Sequence, residues 1–248
     1  MSLTSLFQRP APPGEAHDDH THRDVKGGAA RAAVFGMSDG LVSNVSLILG
    51  VAGANPAPGV VRLAGFAGLL AGACSMAAGE YISVQPQREL LERELEMERR
   101  ELELRPDMER RELAGIYRSR GVDPEVADEV AAQLSVDPET ALETHAREEL
   151  GIDPGELGSP VRAALSSLGS FTVGAVIPLV PWLVGRGNGA VVASVILSTI
   201  AALLVGALLA RFTGRGLVGS SLRQLAVAAI AAAITCGVGA LLGVTGTV

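Results

Sequence analysis

Residues 187–210 read GNGAVVASVILSTIAALLVGALLA, 24 positions without a charged side chain. As a helix rising about 1.5 Å per residue this stretch covers about 36 Å, more than the roughly 30 Å hydrocarbon core of a bilayer. It has no polar face at helical spacing, as a soluble core helix would. Working outward, residues 163–185 and 224–248 are also free of charge. Toward the N-terminus, residues 63–79 carry none and residues 32–53 carry one, Asp39. The sequence predicts an all-α chain with five membrane spans, the second and third widely separated.

The charge sits in that gap. Residues 80–156 hold 22 Asp and Glu against 10 Arg, a local balance of −12, whereas the whole chain carries −7. An acidic module is thus attached to a mildly basic membrane part. Such a surface argues against a nucleic-acid partner and for cations. Four segments follow: a His-containing tail at 1–27, spans 1 and 2 at 28–84, a Glu-rich module at 85–157, and spans 3 to 5 at 158–248.

The tail is polar, contains Pro, and has little to bury, so it reads as disordered, with no apolar segment of a cleavable signal. Its His17, His20 and His22 offer weak metal binding, or are simply residue bias. Asn55, Pro56 and Pro58 end span 1. Span 2 is expected to run on as a helix past the membrane to Arg105, with Pro86 as its one interruption, until Pro106 starts another helix. Asp123-Pro124 and Asp137-Pro138 have the form of an N-cap with Pro at the first helical position. Three or four short helices therefore fill the module. Pro178 and Pro181 kink or end span 3, and span 5 starts near Leu222. Lys26, Arg31, Arg162, Arg211, Arg215 and Arg223 fall on one side of the membrane and only Arg62 and Arg186 on the other. The positive side is cytoplasmic, which puts the N-terminus and the module in the cytoplasm.

Four groups of residues invite chemistry. Asp39 lies in GMSDGLVSN (residues 36–44), and an ionisable group in mid-span marks a pathway unless it sits at the helix end near the interface. Met76 and Glu80 are four apart on one helix face, a thioether and a carboxylate, which suits a transition metal better than Mg²⁺ or Ca²⁺. Glu94, Glu98 and Glu101 follow at i, i+4, i+7, and Glu109 and Glu112 lie past the Pro106 turn. His145 and Glu149 are four apart on a later helix. Carboxylates from two helices can share metal ions in a bundle. Glu89/Arg93, Glu96/Arg100 and Glu101/Arg105 on the same helix are i, i+4 pairs, the pattern of an ordinary solvated helix, and spacing alone does not choose. Cys74 and Cys236 both fall in apolar spans and read as packing residues. No nucleophile–base set, P-loop or Gly-rich nucleotide fingerprint appears, and the module lacks the Glu-x-x-His of a di-iron centre, so an enzyme is not expected.

The chain resembles the vacuolar iron transporter family, in its bacterial form. The likeness rests on GMSDGLVSN with LGVAGA (49–54) in span 1, and on AGACSMAAGEYIS (71–83) in span 2. In the module it rests on Glu98-Arg-Arg-Glu101, Glu109-Arg-Arg-Glu112 and REELG (147–151). It extends from about residue 28 to the end. The resemblance implies a homodimer of five-span subunits in a lipid bilayer that moves Fe²⁺ out of the cytosol in exchange for protons. It further implies a metal-binding domain using Glu98, Glu101, Glu109, Glu112 and Glu149, and a membrane path through Asp39 and Met76. Plant members have an acid at the position of Ala32, a glutamate at Gly68 and paired methionines at His145 and Ala146, and can have glycine at Glu80. His145 is a possible replacement ligand, since imidazole suits Fe²⁺, Mn²⁺ or Zn²⁺.

The implied sequence of events is capture by the module, transfer to Met76, Glu80 and Asp39 at a dimer axis, and displacement by protons. Gly36/Gly40 and Gly68/Gly72 are small-xxx-small pairs, expected to let spans 1 and 2 approach their copies there. Rival readings are an Mn²⁺ exporter and a non-transporting membrane metal sensor or storage protein. The tail and the Arg-rich, Lys-poor usage point to a bacterial plasma membrane.

Overall fold

A computed structural model describes residues 28–245; the tail with His17, His20, His22 and Lys26 lies outside the described residues. Eight α-helices follow in order: α1 (Gly28–Gly53), α2 (Pro58–Leu104), α3 (Pro106–Ser119), α4 (Pro124–Leu134), α5 (Pro138–Glu148), α6 (Pro160–Val184), α7 (Gly187–Thr213) and α8 (Leu217–Thr245). A 3₁₀ turn, Pro154–Glu156, precedes α6. Five of the helices, α1, α2, α6, α7 and α8, are long and apolar enough to cross a membrane.

The local signals act as their chemistry requires. Asp123 accepts from the Glu125 amide at 3.0 Å, and Asp137 accepts from both the amide and the hydroxyl of Thr140 at 2.9 and 2.8 Å. Each stands before a Pro that occupies the first helical position. Ser159 caps α6 in the same way. Pro178 and Pro181 lie inside α6 without ending it, and α8 begins at Leu217, five residues ahead of the expected start. Gly214, at φ +69°, closes α7 in the left-handed region.

Helix α2 runs 47 residues without a break, through Pro86. At about 1.5 Å per residue it is about 70 Å long, so about 40 Å stands clear of a bilayer core of about 30 Å. The turn at Pro106 sends α3 back beside its end.

Within the membrane part, α1 is central and packs on α2, α6, α7 and α8. One core joins Ile48 of α1 to Val61, Leu69 and Ala73 of α2 and to Phe171, Leu179 and Trp182 of α6. A second joins Leu41 to Ala201, Ala202 and Ala228. Helices α1 and α6 touch backbone to backbone: a Cβ on Gly40 would stand 2.1 Å from the Phe171 carbonyl oxygen, and one on Gly174 at 2.1 Å from that of Met37. This corrects the expected use of the glycines. Gly36 and Gly40 meet α6 of the same chain, Gly72 meets the Phe171 ring, and Gly68 meets Leu47 and Asn44. The nearest neighbours of all four glycines belong to the same chain.

The module has two small cores. Leu95 of α2, Ala146 of α5 and Ile152 form one, with Leu91, Leu150 and Leu157 against it. Leu113 and Ala114 of α3 with Ala131 of α4 form the other.

Candidate functional site

The two small cores fix where the acidic side chains meet. Leu95 holds α5 against α2, which brings His145, the neighbour of Ala146, over Glu98, one turn past Leu95. Leu113 anchors α3 one turn beyond Glu109. After α5, Gly151 takes φ +66°, and the Ile152 amide donates to the Ala146 carbonyl at 2.7 Å. That turn leaves Glu149 at the helix end beside His145. Arg120, at the end of α3, pairs with the Glu148 carboxylate and donates to its carbonyl at 3.2 Å, tying the two helix ends together.

The result is four converging side chains. Glu98, Glu109, His145 and Glu149 each offer one ligand atom, and those atoms all lie within 4.8 Å of one another. Glu98, Glu109 and His145 are buried, the last completely. Nδ1 of His145 lies 2.9 Å from Glu98 Oε1 and 3.5 Å from Glu149 Oε2. The 2.9 Å approach is not aligned as a hydrogen bond: Glu98 Oε1 and both His145 ring nitrogens are buried without a hydrogen-bond partner. Atoms aimed at a common point, not at each other, are the arrangement of ligands. Four donors set tetrahedrally about 2.1 Å from an ion lie about 3.4 Å apart, so this set has to draw in by up to about 1.4 Å to close around one.

The electrostatics agree. Burial raises the Glu109 pKa, and the charges of Glu98, Glu112 and Glu101 raise it further, against a smaller pull from His145. Burial also raises that of Glu149, with Glu98 and Glu112 adding to it. At His145 burial works against the imidazolium, but Glu98 and Glu149 outweigh it and hold the pKa above the usual histidine value. Glu109, Glu149 and His145, short of compensating cations, hold on to protons. The same oxygen and nitrogen donors suit Fe²⁺, Mn²⁺ or Zn²⁺.

Not every predicted ligand joins. Glu101 and Glu112 are exposed and act on the cluster through charge, and the half-buried Glu94 stands outside the converging four. The solvated-helix pattern holds for other glutamates: Glu92 pairs with Arg88, Glu96 with Arg99 and Arg100, Glu143 with Arg147.

In the membrane part, Asp39 and Met76 share a cleft of about 240 Å³ with Ser43, Asn44, Leu47, Gly68, Gly72, Ser75 and Phe171. Met76 is half-buried against the main core, and Asp39 is exposed in the single chain. Glu80, one turn past Met76, is half-buried and is not part of this lining. Asn44 and Ser75 were missed as site residues: Asn44 is five from Asp39, which helical spacing places off its face. The available signal was an amide in mid-span.

Comparison with known proteins agrees with this architecture. The chain matches the VIT family over residues 30–240. It is 40% identical over 230 residues to the vacuolar iron transporter of Acanthamoeba castellanii, covering 91% of this chain and 84% of that protein. It is 33% identical to vacuolar iron transporter 2 of Oryza sativa subsp. japonica, over 89% of this chain and 90% of the relative. Against vacuolar iron transporter 1 of Arabidopsis thaliana the identity is 31%, over 87% of both chains. A multi-pass membrane chain with this sequence belongs to the VIT family of vacuolar iron transporters.

Proposed function

We propose that the protein is a divalent-metal transporter whose cargo is Fe²⁺, moved out of the cytosol with protons moving the other way. The observation that carries the reading is the convergence of Glu98, Glu109, His145 and Glu149 against the same helix that carries Met76 into the membrane cleft. Helix α2 separates Glu98 from Met76 by 22 residues, about 33 Å at the helical rise. The module collects the ion. The ion then enters the bilayer at Asp39 and Met76, with Glu80 one turn along α2 on the approach. Glu101, Glu112 and Glu94 enrich cations around the cluster by charge. Protons displace metal from carboxylates, since one oxygen cannot hold both.

The placement of the module in the cytoplasm rests on the arginine asymmetry of the loops. The homodimer reading rests on Asp39: a carboxylate open to lipid is costly, and a second copy over the cleft shields it. A bacterial plasma membrane is the location most in keeping with the tail and its charge usage. A second reading, Mn²⁺ as principal cargo, is favoured by the three carboxylates and the absence of a thiolate from the converging four.

Purified protein in liposomes tests the proposal under reducing conditions. Fe²⁺ entry should occur, should be driven by an outward proton gradient, and should be abolished by Asp39→Ala. Wild-type flux in Asp39→Ala sinks the pathway reading. Metal binding with no flux in the wild type leaves a sensor or storage protein instead. Mn²⁺ competing better than equimolar Fe²⁺ reverses the choice of cargo.

A further inference from the structure

The side-chain amide of Asn44 is held from one side only. Its Nδ2 donates to the Ala175 carbonyl of α6 at 2.6 Å. A carbonyl only accepts, so the amide cannot be flipped without losing that bond. The anchor therefore dictates where Oδ1 points. That oxygen is buried with no hydrogen-bond partner, in a residue 1% exposed. Asn44 belongs to the lining of the cleft that holds Asp39 and Met76. Gly68 belongs to the same lining, and a Cβ built on it would stand 2.9 Å from Asn44 Oδ1. The oxygen thus faces the stretch of wall where α2 offers no side chain to cover it.

An amide oxygen left without a donor in an apolar setting is costly, and polar groups at membrane depth are associated with pathways. The hydroxyls of Ser46, Ser167 and Ser198 are also buried without partners, but none of them lines the cleft. Among the described residues, Asn44 alone combines a fixed amide, an unmatched oxygen and a place beside the acidic and thioether groups.

We propose that Asn44 Oδ1 is a neutral oxygen ligand to the divalent cation in the cleft, acting with the Asp39 carboxylate and the Met76 thioether. The inference rests on the cleft being the transport path, and it adds the residue that sets how tightly the ion is held. Conduction needs a site good enough to enter and weak enough to leave. A neutral oxygen replaces one hydration water without adding a second negative charge. A carboxylate at this position would hold a divalent ion longer.

The test uses the full chain in liposomes, with Fe²⁺ under reducing conditions as the probe. Asn44→Leu should raise the KM for Fe²⁺ uptake about tenfold, equivalent to the loss of one modest ligand. Asn44→Asp, which gives up the bond to Ala175 but adds a second negative charge beside Asp39, should lower KM while slowing maximal uptake. Gly68→Ala, which crowds Oδ1 without removing the anchor, should raise KM about threefold. A purely structural role predicts less folded protein with KM unchanged. Wild-type KM in folded Asn44→Asp and Gly68→Ala overturns the proposal, whether or not Asn44→Leu folds. Asp39→Ala separates the two levels. If it transports like wild type, the cleft is not the path; if it is inactive while the Asn44 and Gly68 variants keep the wild-type KM, only the role of Asn44 fails.

Discussion

Nδ1 of His145 stands 2.9 Å from Oε1 of Glu98, and neither buried atom has an aligned hydrogen bond. The pair links α5 to α2, and with Glu109 and Glu149 it converges on one point. Charged and polar atoms buried this way are stable only with protons or a cation between them.

Removing a converging donor should therefore cost affinity where removing a nearby acid does not. Glu98→Gln or His145→Ala in the full chain should weaken Zn²⁺ or Mn²⁺ binding about tenfold or more, at least the cost of losing a supporting residue around a metal. Glu94→Gln should change it less than about twofold. Isothermal titration in detergent checks this, and equal losses for all three would remove the distinction between cluster and surround.

Acidity should stabilise the metal-free protein and loosen its grip on metal. Glu109, Glu149 and His145 all have pKa values raised in the folded state. A raised pKa means the folded state binds protons more readily than the unfolded chain. The associated stability is present at low pH and is lost as pH rises through the raised values. Metal-free melting temperature of the module should thus climb as pH falls from 8 toward 6, and saturating Zn²⁺ should flatten the profile. A metal-free profile that falls over this range contradicts the assignment.

The module's integrity should depend on Leu113. It is fully buried in the α3–α4 core, and Leu113→Ala should cost about 2–5 kcal/mol. Hydrogen exchange should then quicken across α3 and α4 while α6 and α7 stay protected. Uniform loosening would mean that the module and the membrane part unfold together.

Gly40 and Gly174 should tolerate no side chain. Each added Cβ would meet a backbone carbonyl oxygen at 2.1 Å, and backbone cannot swing aside as a side chain can. Overpacking of this kind costs about 1–3 kcal/mol or more. Gly40→Ala should lower the yield of monodisperse protein in detergent. Gly169→Ala, with open space around it, should not.

Charge-free length alone made the five spans legible, and Asp-Pro pairs located α4 and α5. Helix α2 was readable as one rod because only Pro86 interrupts it. The metal centre was readable by residue type but not by membership. Glu98 and Glu101 sit on the same helix, yet Leu95 and Ala146 turn α5 toward one and leave the other in water. Such small apolar contacts leave no mark in the spacing of acids. The glycines misled for a related reason: a small residue announces close approach without naming the neighbour, and here it is α6 of the same chain. Asn44 escaped because its role depends on Ala175, 131 positions away.

The continuity of α2 has a mechanical side. A helix without a break is stiff, so a tilt at one end is a displacement at the other. Over the roughly 33 Å between Glu98 and Met76, a tilt of about 5° moves one end by about 3 Å relative to the other. A tilt imposed on α2 by closure of the acidic cluster would be felt in the cleft, where Leu69 and Ala73 pack in one core with Phe171 of α6. On the proposed route, loading outside the bilayer would reach the cleft through the stiffness of one helix.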